Sequence, residues 1–372
     1  MKILLLSQVW QSLYGANRSL LDIATWLKEK GHDIRVVVAG RWELSEKLKL
    51  NKIPIFIFRY YSCAHSLKNK YFLIYYFLYF LNKFYLSFNI RKLGNWRPEI
   101  VYTNNTTVDI WYHISIYFRC RHVWHVREFG WDDYSLLYFP SKKSFLRKLN
   151  QSDFVIFISN SLFAAYDWLI DTKYRVLRNP ISESLLRKRK LKEKKTSFVF
   201  LFPGLIHPNK WQLLALKAFK NLQLEYPQTK IVFIWWGSLC YKFLLAFYCY
   251  IFNLKNAIFL WYQSDVANFF HTSDAVLVCS KKEALGRVTL EAMMYWVPVI
   301  WNNTAGTKEL IWDTRWLTFD GTFMDLCNKM KALILNYNLC QKYSNEGVNF
   351  INSYFIKKPY IDNLEKLLLS LQ

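Results

Sequence analysis

The chain opens on an uninterrupted apolar run, Ile3 to Leu6, followed by apolar positions at helical spacing from Ser19 to Lys30 and a second apolar run from Asp33 to Val38. Continuous rather than alternating runs are what strands buried on both faces require, and strand, helix, strand in succession is the rhythm of a parallel sheet. The rhythm predicts further strands at Ile100–Thr103, His122–Val126, Phe154–Ile158 and Arg175–Leu177. It stops at residues 185–195, LLRKRKLKEKK, where seven basic side chains face one acidic, after the turn signal Asn179-Pro180 and without apolar periodicity. It then restarts with Ser197–Phe202, a helix over Trp211–Glu225, and strands at Lys230–Ile234, Ala257–Leu260, Ala275–Val278 and Pro298–Trp301. The tail from Tyr354 to Gln372 returns to helical spacing through Ile361, Leu364, Leu367 and Leu368. The pattern predicts an α/β protein with one domain over 1–184, a basic linker over 185–195 and a second domain over 196–353. A final helix over 354–372 packs back on the first domain.

One segment departs from this rhythm. Tyr71 to Leu81 is apolar throughout until Asn82 and Lys83 break it after eleven residues, short of the roughly 20 that span a bilayer. Two readings stay open: a core helix, or a membrane-surface helix flanked by Lys68, Lys70, Lys83, Arg91 and Lys92.

Composition narrows the function. At 372 residues and 53% hydrophobic content the chain can bury two ordinary cores. The formal net charge of +23 calls for an anionic partner, whether nucleic acid, an acidic membrane surface or a phosphorylated substrate. The basic run carries no interleaved aromatics and no known nucleic-acid module, which argues against nucleic acid. Seven cysteines without a C-x-x-C pair argue against a disulfide framework or zinc knuckle and fit a reducing cytoplasm. The opening MKILLL is too short for a secretory signal and reads as a buried strand.

The candidate chemistry lies in residues 280–293. A loop leaves the strand Ala275–Val278, passes Glu283 and Gly286, and enters a helix carrying Glu291. Free N–H groups at Gly286, Arg287 and Val288, with the helix dipole, make a site for a diphosphate. Glu291 is placed to accept hydrogen bonds from ribose hydroxyls, and Glu283 to face a sugar. Taken alone, two glutamates at this spacing are common.

The surrounding string makes them specific. Glu283-Ala-Leu-Gly-Arg-Val-Thr-Leu-Glu-Ala-Met293, with Pro298-Val-Ile300 and Ala305-Gly306-Thr-Lys-Glu309 after it, resembles the E-x7-E motif of family 4 of the retaining glycosyltransferases. The resemblance covers nearly the whole chain and implies the GT-B architecture of two Rossmann-like domains facing across a cleft. It implies that Glu291 contacts the ribose, Glu283 the donor sugar, and Gly286 and Arg287 the diphosphate. Gly204 and Lys210 match the family's second phosphate signature, but Leu205 stands where its arginine would be, so Arg287 is expected to supply the second cation. Gly15 and Ala16 match the loop near the donor phosphates after the first strand. His125 matches the histidine beside the reacting sugar. Lys210 and the helix N-terminus would stabilise the departing nucleoside diphosphate. With no D-x-D triplet in the sequence, neither metal nor other cofactor is expected. The implied enzyme is a cytoplasmic retaining hexosyltransferase building surface polysaccharide, with a peripheral place on the membrane that holds its acceptor, a glycan or lipid-linked sugar. A nucleotide-sugar epimerase and a degenerate, non-catalytic GT-B protein are the competing readings.

Tryptophan replaces glycine where the family pattern has glycine: Trp211 after Lys210, Trp236, Trp261, Trp296 before Val-Pro-Val, and Trp301 after it. Trp10, Trp111 and Trp131 are further suspects. Glycine occurs 11 times where average usage gives about 26, and tryptophan 16 times. The pattern predicts a UGA codon read as glycine in the source organism, with Trp124 a genuine tryptophan.

Overall fold

In a computed structural model of the chain, residues 1–8, 15–66, 71–180, 197–234, 237–260, 263, 266–310, 317–354 and 357–372 are described. The basic run 185–195, Lys68, Lys70, Trp10, Trp236 and Trp261 lie outside them. The chain divides into two compact units, Met1–Asn179 with Lys357–Gln372, and Pro180–Ile356.

The first unit contains strands β1 (Lys2–Leu6), β2 (Asp33–Val38), β3 (Ile55–Ile57), β4 (Ala64–Ser66), β5 (Ile100–Thr103), β6 (Arg121–Val126), β7 (Leu136–Tyr138), β8 (Phe154–Phe157) and β9 (Tyr174–Val176). Seven of them form a parallel sheet in the order β3-β2-β1-β5-β6-β8-β9, and β4 and β7 pair antiparallel on their own. The second unit contains β10 (Val199–Pro203), β11 (Lys230–Ile234), β12 (Ala257–Leu260), β13 (Ala275–Val278), β14 (Val299–Asn302) and β15 (Thr318–Phe319). They are parallel, in the order β12-β11-β10-β13-β14-β15. Both orders are Rossmann-like: the winding reverses once, between β1 and β5 in one sheet and between β10 and β13 in the other. At such a reversal the loops leaving the two carboxyl ends splay apart and leave a crevice for a ligand.

Burial explains the elements. Leu4 to Leu6 and Val36 to Val38 are fully buried, as continuous apolar strands covered on both faces must be. Over one face lies the helix Gly15–Glu29, burying Leu20, Ile23 and Leu27, beside the last helix, Lys357–Leu369, which buries Tyr360, Ile361, Leu364 and Leu368 in the same core. Each fully buried leucine is worth about 1.5–3 kcal/mol over its exposed state, enough to dock this helix in the first unit. In the second unit Phe200, Phe202 and Phe233 of the sheet meet Leu216, Phe219 and Leu222 of the helix Gln212–Glu225.

The apolar segment that begins at Tyr71 is a single helix, Phe72–Arg91, running through Asn82 and Lys83 rather than ending there. Asn82 is buried: its side chain accepts from the Tyr61 N–H at 2.8 Å and donates to the Tyr61 carbonyl at 2.9 Å, which is why a polar residue is tolerated mid-helix. It is not a core helix. Only Tyr79, Asn82, Asn89 and Ile90 are buried, while Leu73, Ile74, Phe77, Phe80, Phe84 and Phe88 are exposed. A second helix of this kind, Leu239–Ile251, is not singled out by the sequence pattern; it buries only Leu245 and exposes Leu239, Phe243, Phe247 and Tyr250. Among the described residues no helix is long and apolar enough to cross a membrane.

Candidate functional site

At the switch point of the second unit, β13 ends at Val278 and the chain loops through Ser280 and Glu283 into the helix Arg287–Met294. Gly286, the N-cap, has φ +80°, and a Cβ there would lie 2.7 Å from Thr307 Cγ2, so both backbone and space require glycine. Gly306 closes the loop from the other side: its N–H donates to the Glu283 carbonyl at 2.8 Å, and a Cβ would lie 2.3 Å from the Ala284 carbonyl oxygen. The first-turn N–H groups at Arg287 and Val288 are by position those without an intrahelical acceptor.

The other side of the switch point follows β10. Gly204, with φ +146°, turns the chain, and the short 3-10 turn Pro208–Lys210 carries the lysine. Lys210 Nζ lies 2.5 Å from Glu283 Oε1, a pairing of residues 73 apart in sequence, and Ser280 Oγ donates to the same oxygen at 2.6 Å. The Lys281 N–H donates to the Asn209 carbonyl at 3.2 Å, fastening the two loops together. Glu291, 6% exposed, accepts from Arg287 Nε at 3.0 Å across one helical turn. The second cation and the ribose carboxylate expected from the sequence are therefore partners of one ion pair rather than separate groups. Two cations and two carboxylates thus line this switch point, each carboxylate held by a named donor. Ser280 has no signal in the motif spacing; only its place as a hydroxyl three residues before Glu283 hints at it.

In the first unit Gly15 begins the helix after β1, and among the described residues nothing lies within 4 Å of a would-be Cβ there. The Ala16 carbonyl accepts from Asn104 Nδ2 at 2.7 Å, which ties the helix start to the end of β5 across the switch point. His125 lies fully buried in β6, and burial followed by the Arg127 charge pushes its imidazole well below the usual histidine range. Of its partners, Arg127 lies two residues on at the same strand end, whereas Tyr102 comes from β5, a separate stretch of chain.

The tryptophans separate into classes. Trp211, at the N-cap of Gln212–Glu225, has φ +59°, and Trp296 has φ +60°. Trp296 follows the helix Arg287–Met294 with its N–H on the Met293 carbonyl at 3.0 Å and the Val297 N–H on the Ala292 carbonyl at 3.0 Å. That is the helix-ending turn in which glycine is the usual occupant. Arg119 and Asn253 hold similar angles, so the conformation alone does not demand glycine. Trp301 sits fully buried in the middle of β14, and nothing in its backbone asks for glycine. Trp124 donates its indole N–H to the Asn105 carbonyl at 2.6 Å, as a tryptophan selected for its site should. The Trp111 indole nitrogen is buried with no partner among the described residues.

Comparison with known proteins follows the same division. The model of the family "Glycosyltransferase Family 4" matches residues 14–185 and that of "Glycosyl transferases group 1" matches residues 185–350. A curated relative, the capsular polysaccharide biosynthesis glycosyltransferase CapM of Staphylococcus aureus, is 23% identical over 191 residues, 49% of this chain and 50% of its own. The chain thus matches about half the length of that relative. Among solved structures, Anabaena HepE in complex with UDP-glucose superposes with a TM-score of 0.82 at 18% identity, covering 100% of both chains. A variant of S. aureus TarM in complex with fondaparinux, α-GlcNAc-glycerol and UDP gives 0.78 at 12% identity, covering 99% of both. These structural likenesses speak to the fold, which is GT-B.

Proposed function

The chain belongs to the group 1 glycosyl transferases of glycosyltransferase family 4, and from that premise we propose that it moves a hexosyl unit from a nucleotide-sugar donor to a glycan or lipid-linked acceptor with retention. The observation that carries this reading is the meeting of Lys210 and Glu283 at 2.5 Å beside a helix N-terminus whose N-cap, Gly286, admits no side chain. Such a place suits a diphosphate: a cation, first-turn N–H groups and the helix dipole converge on it. Glu291 takes the ribose, Glu283 the sugar, and Lys210 with the Arg287–Val288 turn receives the charge that develops on the leaving diphosphate. In the first unit Gly15 and Ala16 serve the phosphates and His125 the sugar. Surface polysaccharide synthesis is the reading that CapM favours.

Donor binding raises apparent stability by mass action. A screen of UDP- and GDP-sugars should find one that protects the chain against thermal unfolding. Glu291→Ala should lose about 1.5–3 kcal/mol of that nucleotide's affinity with the fold intact, because a charged acceptor is removed. Calorimetry showing unchanged affinity would end the ribose assignment.

The acceptor reading rests on the helix Phe72–Arg91. Its outward face holds Phe77, Phe84 and Phe88 with Lys83, Arg91 and Lys92 exposed beside them, the make-up of a helix lying in an anionic membrane surface. Replacing these three cations with glutamine should release the chain from anionic vesicles in flotation assays, at about 1 kcal/mol for each charge. Activity on a soluble acceptor should persist. Vesicle binding indifferent to these residues and to salt would sink the assignment.

A further inference from the structure

At the end of β6 in the first unit, His125 sits at the centre of a hydrogen-bond network that the glycosyl-transfer reading does not use. Arg127 Nη2 lies 3.0 Å from His125 Nδ1, and the Tyr102 hydroxyl lies 2.5 Å from the same nitrogen. A guanidinium has donors and no acceptor, so Nδ1 must accept. The Tyr102 hydroxyl has its own proton to give to the same lone pair. A ring nitrogen that accepts carries no proton, so the neutral imidazole bears its one proton on Nε2. That Nε2 is buried and has no partner among the described residues.

The same guanidinium reaches further. Its Nε donates to Asn104 Oδ1 at 2.7 Å, and Asn104 Nδ2 donates to the Ala16 carbonyl at 2.7 Å. Its charge also acts on Tyr360 of the last helix, opposing the upward push that burial gives that phenol. Tyr360 donates to Asn179 Oδ1 at 3.3 Å, Asn179 Nδ2 donates to Ser19 Oγ at 3.2 Å, and Ser19 Oγ donates to the Gly15 carbonyl at 3.0 Å. One cation therefore fixes both a histidine tautomer and the start of the helix Gly15–Glu29.

We propose that Arg127 is a positioning residue that locks His125 as a neutral, donor-only imidazole, with Nε2–H offered to a hydroxyl oxygen of the sugar. The identity of that acceptor rests on the glycosyl-transfer reading; the lock does not. Such a ring cannot serve as a general base, since one nitrogen is protonated and the lone pair of the other is already engaged. Protonating Nδ1 would drive out both donors beside a guanidinium, in a buried place. Turnover should therefore show no acidic limb from His125.

The test is nitrogen NMR of the full chain labelled at histidine, with the His125 signals assigned by their loss in His125→Gln. The wild-type ring should show a protonated Nε2 and a bare Nδ1 that do not titrate between about pH 8 and pH 5, the interval in which an ordinary histidine changes charge. Arg127→Met should mix the tautomers and lower kcat by about 10²-fold, the scale of a misplaced reacting group, with a smaller change in donor KM. Arg127→Lys, which keeps one donor for Nδ1, should restore the tautomer and part of the rate. A wild-type ring protonated on Nδ1, or titrating in that interval, would overturn the lock even if every Arg127 variant failed to fold. A locked ring in a chain that turns over no UDP- or GDP-sugar would overturn the sugar as acceptor and the reaction reading with it, and leave the lock standing.

Discussion

Lys210→Ala is expected to cut turnover by about 10²–10³-fold, the usual loss when one preorganised donor to developing charge is removed, while raising the donor's KM far less. The difference follows from where the charge grows. A diphosphate carries part of its negative charge already in the bound donor, but the oxygen that leaves the sugar gains more as the bond breaks, so a cation facing it binds the transition state better than the ground state. Lys210 is preorganised to meet that charge, because its backbone N–H is tied to the His207 carbonyl at 2.9 Å and its side chain, 18% exposed, already points at Glu283. Truncating it also leaves the Glu283 carboxylate with Ser280 as its donor, a loss unrelated to phosphate. The double variant Lys210→Ala with Glu283→Gln, read against Glu283→Gln alone, separates the two. If the stranded carboxylate caused the defect, removing Lys210 would cost little in the Glu283→Gln background; on the proposed reading it costs as much there as in the unaltered chain. An effect confined to KM would reduce Lys210 to a binding contact.

The longer strands are legible in the sequence because most are buried on both faces and so read as unbroken apolar runs, with ends shifted by a residue or two, as at Val199–Pro203 against the expected Ser197–Phe202. β3, β4, β7 and β15, of two or three residues each, are too short for such a run, and the pattern does not predict them. The two outward-facing aromatic helices are less legible. Phe72–Arg91 has so many apolar residues on every side that its sequence carries little amphipathic signal, and the buried Asn82 looks like a break when it is a contact to the Tyr61 backbone. At the candidate site the loop and helix around Gly286 can be read from spacing, because the conformation that needs glycine is local. At His125 only Arg127, two residues further along the same strand end, is near in sequence; Tyr102 lies on β5, and only the folded sheet brings its hydroxyl to the ring. Arg287 looks like a free cation in the sequence because an i,i+4 pair with Glu291 competes with a phosphate in a way that spacing does not weigh.

The last expectation concerns Trp211 and Trp296. Both hold left-handed backbone at the ends of helices that frame the candidate site, φ +59° and +60°, and a bulky residue held there costs about 1–3 kcal/mol. Glycine removes that strain at the expense of a more flexible unfolded chain, roughly 0.5–1 kcal/mol. Trp211→Gly with Trp296→Gly should therefore raise the melting temperature, at about 2–4 °C per kcal/mol gained in a unit of this size. Trp301→Gly should do the opposite. Its ring is fully buried in β14, and emptying such a site costs about 3–5 kcal/mol. The codons supply an independent reading of the same positions: UGA at Trp211 and Trp296, where the backbone favours glycine, and UGG at Trp124, whose indole is hydrogen-bonded. UGG at Trp211 and Trp296, together with a melting temperature that falls in the double-glycine variant, would mean that these two helix ends were built for tryptophan and that the shortage of glycine has another origin.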